Sequence, residues 1–512
     1  MNTASKIAKE STITFSGLVY GNINRYLYTA LLARWVGPEF LGIYSLANAI
    51  MLISEVIAKM GLETGIMRFV SQLNPQVDNV KIKKVIGSAL KMTFISSLII
   101  MIALVISSGS IVTMLSESSF LKYVIIIFSI AIPFNALTSV AAFATQGFKR
   151  LKYKILVTQF INPTVLLVSM VLCYWFVSTK LAIMAPMFIV GVIGFISMIS
   201  ILKSVSGLNH QQILQSRFDA KLFQFSYPLM FVTMLQTFMH WIDILMLGYF
   251  VDAGVVGLYH PAARTAGLLQ ALLLSFLSIY APMASQYYGE GKVGELSSIY
   301  KLVTRWLLIC AIPISLVFII FPKKVLLLFG PEYLESAQIL IILTMATLIQ
   351  AFLGAAGPTL SMSGRTKLVL LNTIGAFIIN ILLNIFLIPR YGIVGAAWAT
   401  FISLTLIGLV RIVEVGFILK MNFVDLKILK PLVSGIVTYQ ILYSIKPYIM
   451  NYHTLITLGI AGITGLISFG LLIWLLRIED EDEDFLNGIG IITVSYTHLR
   501  AHETEADLVC RL

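Results

Sequence analysis

Charge is scarce in this chain. Asp, Glu, Lys and Arg make up only 12% of its 512 residues, whereas 58% are hydrophobic, and the mean hydropathy is +0.92. Soluble domains carry about twice that share of charge. The composition therefore excludes a soluble globular fold, and the long apolar runs read as membrane-crossing helices. Cysteine is equally sparse: Cys173, Cys310 and Cys510 are scattered, which supports neither a disulfide framework nor a metal site. No metal and no cofactor are expected. Period-two alternation over ten-residue blocks is missing, which excludes a membrane β-barrel. No GxxxxGK[ST] phosphate loop occurs; YGEGKVGEL (288–296) lacks the first glycine at its required spacing, so ATP hydrolysis by this chain is not expected. The longest outer loop, near 322–336, has no clustered acid/base residues, which argues against a membrane enzyme such as a polysaccharide polymerase or glycosyltransferase. No cleavable signal peptide is expected, because the first apolar segment is long and interrupted by polar residues.

What is there is an all-α polytopic pattern. Charged and turn-rich interruptions delimit about 14 transmembrane helices, near 12–33, 41–61, 85–107, 121–145, 155–177, 181–203, 223–250, 256–281, 302–322, 337–360, 367–389, 392–419, 430–446 and 453–476. The net charge of +12 invites a nucleic-acid reading, but the basic residues fall in alternate loops. With the N-terminus inside, the clusters Arg68/Lys81/Lys83/Lys84 and Lys149/Arg150/Lys152/Lys154 are cytoplasmic. The outer loops hold only Arg34, Lys122, Lys180, Lys323, Lys324, Arg390 and Lys446. That is the positive-inside distribution; it predicts both termini inside, contact with membrane lipids, and no nucleic-acid partner.

The sequence repeats itself. ARWVGPEFLGIYSLANA (33–49) superposes on GYFVDAGVVGLYHPAAR (248–264) with Gly42-Ile43-Tyr44 on Gly257-Leu258-Tyr259, an offset of 215 residues. QGFKRLKY (146–153) and MSGRTKLV (362–369) form a weaker echo. Parallel repeats imply two six-helix lobes related by a pseudo-two-fold axis along the membrane normal, with a site between them. The expected organisation is an N-terminal lobe at 1–205, a C-terminal lobe at 206–425, helices 13 and 14 at 426–477, and a cytoplasmic tail at 478–512. The acidic run EDEDED (479–484) reads as solvated. From about 493 to 512 the style breaks sharply and resembles translated adapter read-through, so this part is expected to be non-native; finding it in frame at the genomic locus would refute that.

LLARWVGPEFLGIYSLANAI resembles the first hairpin of the polysaccharide-unit flippases of the multidrug/oligosaccharidyl-lipid/polysaccharide exporter superfamily. DILMLGYFVDAGVVGLYHPAAR looks like the opening hairpin of their second half, and LNTIGAFIINILLNIFLIPRYGIVGAAWATFIS (371–403) is similar to their eleventh and twelfth helices. The resemblance covers roughly residues 10–476. It implies a prokaryotic cytoplasmic-membrane flippase that moves a polyprenyl-pyrophosphate-linked oligosaccharide from the inner to the outer leaflet by alternating access, for O-antigen or exopolysaccharide assembly. Implied partners are the lipid-linked glycan and the polymerase and glycosyltransferases of the same pathway. The competing function is an ion-coupled multidrug or organic-cation exporter of the same superfamily.

Ionisable residues at bilayer depth are costly and usually face a cavity or a partner. Thr233, Gln236, His240 and Asp243 follow 3-4-3 spacing, which places them on one helical face. Under the repeat offset His240 matches Arg25, with Asn22, Asn24 and Thr29 around it, and Asp243 matches Tyr28. Arg25, His240 and Arg264 are thus candidates to hold a pyrophosphate, since a guanidinium fork binds phosphate oxygens bidentately. Asn22, Asn24, Thr233 and Gln236 are candidates to line the cavity. Asp243 and His240 are candidates for ion coupling, as a buried carboxylate beside an imidazole can exchange protons. The bland alternatives are an Arg25–Asp243 pair, a local His240–Asp243 pair that locks the lobes together, and an interfacial Arg264. Glu55 and Lys59 are expected to form an i,i+4 pair, Arg411 and Glu414 an i,i+3 pair, and Lys91 to snorkel. Asn380 and Asn384 are expected to be packing positions.

Overall fold

The computed structural model describes residues 3–73, 78–115, 118–421 and 426–476. The acidic run at 479–484 and the tail from 493 lie outside the described residues. In chain order the helices are α1 (Thr3–Lys59), α2 (Leu62–Gln72), α3 (Asn79–Leu115), α4 (Ser119–Gly147), α5 (Leu151–Ile155), α6 (Asn162–Phe176), α7 (Thr179–Ser206), α8 (His210–Gln215), α9 (Ala220–Phe250), α10 (Ala253–Gly289), α11 (Val293–Ile320), α12 (Pro322–Leu326), α13 (Ala337–Leu353), α14 (Ala356–Met362), α15 (Thr366–Ile418), α16 (Leu429–Ile449) and α17 (Thr454–Leu475). A π-helical turn, Leu156–Ile161, joins α5 to α6. No strand occurs among the described residues, and twelve helical segments there are long and apolar enough to cross a membrane. The protein is a multi-pass membrane protein.

Two helices are too long to be single spans. At about 1.5 Å per residue, the 57 residues of α1 and the 53 of α15 would run well beyond a hydrocarbon core of about 30 Å. Both are broken by a glycine in a conformation that other residues resist: Gly37 at φ 77°, just before Pro38, and Gly392 at φ 56°, just after Pro389. The breaks fold the chain back on itself. Tyr28 and Tyr44 lie on opposite sides of Gly37, yet their ring centroids are 5.7 Å apart. Arg411 Nη2 donates to Thr373 Oγ1 at 3.3 Å across the α15 break, although the two are 38 residues apart in sequence.

The chain divides into two compact units. One comprises residues 1–272, 321–350 and 365–411; the other comprises 273–320, 351–364 and 412–512. Within the first, α4 packs on α1, α2, α3 and α7, and α9 packs on α1 and α2. Leu62, Ile66, Ile86, Val140 and Met198 are fully buried at the junction of α2, α3, α4 and α7. Within the second, α11 packs on α16 and α17, and the Tyr280 and Thr359 hydroxyls share a hydrogen bond at 2.6 Å. Large apolar side chains such as Ile106, Phe176 and Phe417 are almost fully exposed. In water such surfaces would aggregate; here they face lipid.

Close helix approach in the first unit is made by glycine. A Cβ on Gly42 would lie 1.7 Å from the Ala253 carbonyl oxygen, and one on Gly257 would lie 1.8 Å from the Pro38 carbonyl oxygen. The contact is reciprocal, and its residues are related by the same 215-residue offset. At the other end of α1 the chain turns through Met60 (φ 49°) and Gly61 (φ 70°), and Gly61 and Gly65 rest against Ser226 of α9. Just before this turn Lys59 contacts Glu55 at 3.2 Å and Glu63 at 3.1 Å. The expected i,i+4 pair is therefore a triad of Glu55, Lys59 and Glu63, and Ser139 adds a hydrogen bond donated to Glu63. Lys91 is exposed and reaches the Ser216 carbonyl at 3.3 Å.

Candidate functional site

Arg25 sits on the first leg of α1 and has no carboxylate partner among the described residues. Its Nη1 donates to Gln159 Oε1 at 3.1 Å and its Nη2 to the Thr158 carbonyl at 2.9 Å. Both acceptors are neutral, so the guanidinium keeps its charge uncancelled. The Arg25–Asp243 pair is not formed.

Arg264 lies on α10 within electrostatic reach of Arg25, His240 and His260. Among the described residues its guanidinium has no ion-pair partner, and its Nε is buried without a hydrogen bond. His240, on α9, is exposed and lies within electrostatic reach of Arg264. His260 is 6% exposed and its Nδ1 is unpartnered among the described residues; it stacks near Trp241 and lies edge-on to Tyr44. The Tyr26 hydroxyl is 3.3 Å from Thr265 Oγ1, which ties α1 to α10 beside Arg264. Four basic side chains thus converge from three helices without a counter-charge. Such a group is unfavourable in a low dielectric unless water or an anion completes it.

Asp243 belongs to a different environment. It is 8% exposed and its two carboxylate oxygens face a nest of neutral donors. Asn384 Nδ2 donates to Oδ1 at 2.8 Å, Tyr259 donates to Oδ2 at 3.2 Å, and Thr400 Oγ1 also donates to Oδ2. Asn384 Nδ2 bonds Asn380 Oδ1 at 3.0 Å as well, while Asn384 Oδ1 is buried without a partner among the described residues. The α15 hairpin builds this nest, because Asn384 and Thr400 stand on opposite sides of Gly392. Asn384 therefore holds a carboxylate, which goes beyond the packing role expected of it.

The four polar residues of α9 do not act alike. Asp243 turns toward α10 and α15, whereas His240 and Gln236 are exposed. Thr233 Oγ1 bonds its own helix at the Leu229 carbonyl, 3.0 Å away. Asn24 Nδ2 does the same at the Tyr20 carbonyl, 2.9 Å away, and Asn22 is partly buried. The structure brings Arg25, His240 and Arg264 together and keeps Asp243 out of that group. Sequence reasoning missed His260, Gln159 and Thr158. His260 carried a signal: it stands four residues before Arg264 and shares its helical face.

Residues 7–288 match the polysaccharide biosynthesis protein family, and residues 228–386 match the MatE family. The chain is 24% identical over 238 residues to the probable low-salt glycan biosynthesis flippase Agl15 of Haloferax volcanii, covering 46% of this chain and 49% of that one. It is 30% identical over 177 residues to the probable flippase AglR of the same organism, covering 32% and 36%. The chain spans about half the length, or less, of these curated relatives. Its fold is similar to that of the lipid II flippase MurJ in an inward closed conformation, with a TM-score of 0.71, 16% identity, and coverage of 92% of this chain and 98% of that one. The chain belongs to the polysaccharide biosynthesis protein family, within the multidrug/oligosaccharidyl-lipid/polysaccharide exporter superfamily.

Proposed function

We propose that the protein is a flippase that moves a polyprenyl-pyrophosphate-linked oligosaccharide from the inner to the outer leaflet of a prokaryotic cytoplasmic membrane by alternating access. The observation that carries this reading is the uncompensated basic group of Arg25, His240, His260 and Arg264. A pyrophosphate supplies the missing negative charge, and its oxygens match the guanidinium forks of Arg25 and Arg264. The glycan then occupies a water-accessible recess while the lipid tail stays in the bilayer. No bond is made or broken, so the protein is a transporter and not an enzyme.

Asp243 is assigned the coupling role, with His240 at the boundary between its nest and the recess. A carboxylate enclosed by Asn384, Asn380, Thr400 and Tyr259 can take up a proton or an oxygen-seeking cation such as sodium. Either changes the charge that α9, α10 and α15 enclose together. Two coincidences at the 215-residue offset support a two-lobed repeat of residues 1–205 and 206–425: the reciprocal Gly42–Gly257 contact, and the positive φ shared by Lys149 and Gly364. Counting each leg of α1 and α15 as a span would give fourteen crossings, which would put both termini on one side; the distribution of basic loops favours the inside. Glycosyltransferases that load the lipid carrier and a polymerase that consumes the flipped unit are the expected pathway partners.

The MatE match over residues 228–386 keeps a drug exporter as the second reading, but a cationic cargo would be repelled by the basic group. Equilibrium binding to the purified protein separates the two. The flippase reading expects a polyprenyl-pyrophosphate glycan to bind and to be weakened about tenfold or more by Arg264→Gln, the equivalent of one charge-assisted contact. Binding of a lipophilic cation with no binding of the glycolipid would favour the exporter.

A further inference from the structure

The loop of π-helix at Leu156–Ile161 interrupts an otherwise α-helical crossing. Such turns are rare and concentrate where a backbone group must be freed for another task. Here the freed group can be named. The Asn162 N–H, which an α-helix would direct to the Thr158 carbonyl, bonds instead to the Val157 carbonyl. In the π register the donor to Thr158 would be residue 163, which is a proline and has no N–H. The Thr158 carbonyl is therefore orphaned by the register shift and by Pro163 acting together, and a partly buried orphan inside a membrane helix gains from a partner elsewhere. That partner is Arg25 Nη2 at 2.9 Å. The same turn presents the Gln159 side chain, whose Oε1 accepts from Arg25 Nη1 at 3.1 Å. Gly21, one turn before Arg25, leaves the room: a Cβ there would meet Gln159 Oε1 at 2.4 Å.

We propose that the π-turn at Leu156–Ile161 is a positioning device for Arg25, with Gln159 as its positioning residue. It clamps two edges of the guanidinium with neutral oxygens and leaves the remaining N–H groups for an anionic headgroup. Neutrality is the point of the design. A carboxylate would orient Arg25 equally well but would cancel the charge that attracts a phosphate, whereas an amide oxygen and a backbone carbonyl fix the geometry and spare the charge. A pre-oriented fork also binds with less loss of rotamer entropy than a free arginine.

This rests on Arg25 as a pyrophosphate ligand, so the test separates the two claims. The full-length protein is purified in detergent and its affinity for geranylgeranyl pyrophosphate is measured for the wild type, Gln159→Leu, Gln159→Glu, Arg25→Gln and the double variant Arg25→Gln/Gln159→Leu. Thermal melts accompany each. Gln159→Leu is expected to weaken binding about tenfold. Gln159→Glu, which keeps the shape and the acceptor, is expected to weaken it at least as much because it neutralises Arg25. Gln159→Leu should cost nothing further in the Arg25→Gln background, since it acts through Arg25. Should the Leu variant fail to fold, the near-isosteric Glu variant carries the test alone. Wild-type affinity in both Gln159 variants, with Arg25→Gln impaired, would overturn the positioning role and leave the substrate reading standing. An equal loss from Gln159→Leu in both backgrounds would also overturn it. Unchanged affinity in Arg25→Gln would instead bring down the substrate reading.

Discussion

Asp243 and His240 are three residues apart on one helix and sit in opposite environments. Asp243 is enclosed by neutral hydrogen-bond donors, and His240 is exposed within electrostatic reach of Arg264. Their different surroundings imply different effects of mutation. Asp243→Asn keeps the size of the side chain but removes its charge. It is expected to abolish the dependence of transport on an imposed proton or sodium gradient while retaining substrate affinity within about threefold, because Asp243 does not touch the basic group. Gradient-dependent transport by this variant, measured with gradients intact and collapsed, would refute the coupling role. The convergence of Arg25, His240 and Arg264 was legible in the sequence because intramembrane cations are rare and the repeat offset aligned two of them. The partners of Asp243 were not legible. Asn384 is 141 residues away, and only the tertiary path of the α15 hairpin brings it near. The clamp on Arg25 was hidden for another reason: a π-turn changes the hydrogen-bond register without disturbing the hydrophobic pattern.

At the scale of elements, two features organise the first unit. The Gly42–Gly257 contact leaves no space for a methyl group, since any Cβ would fall inside the opposing carbonyl's contact distance. Gly42→Ala and Gly257→Ala are each expected to force α1 and α10 apart, at a cost of about 1–3 kcal/mol to this packing. Spin labels at Arg34 on α1 and at Asp252, which leads into α10, both exposed, should report a distance distribution shifted to longer values in either variant; an unchanged distribution would show that the contact does not set the spacing of the two helices. The second feature is the Glu55–Lys59–Glu63 triad beside the Met60–Gly61 turn. Removing its cation leaves two partly buried carboxylates with only the more distant charge of Lys154 near Glu63, so Lys59→Met should destabilise the protein by about 2–3 kcal/mol. The triple variant with Glu55→Gln and Glu63→Gln should recover most of that loss in detergent melts. The hairpins themselves were readable, as Gly37-Pro38 and Pro389…Gly392 punctuate apolar runs that are too long for one span. The triad's third member was readable only as a neighbour, because Glu63 lies beyond the turn.

For the whole molecule, the long apolar helices are those of a multi-pass membrane protein, and the fold is similar to that of MurJ over 92% of the chain. What distinguishes a carrier of anionic glycolipids from an exporter of organic cations is the sign of charge at the binding site, and the proposed site of Arg25, His240 and Arg264 is basic, without an ion-pair partner among the described residues. Reconstitution of the protein into liposomes with a short-chain polyprenyl-pyrophosphate disaccharide tests this most directly. Its transfer between leaflets should require the protein and fall at least about tenfold with Arg264→Gln. Transfer of a lipophilic cation but not of the glycolipid, or glycolipid transfer unaffected by Arg264→Gln, would contradict the assignment of the basic group as the pyrophosphate site.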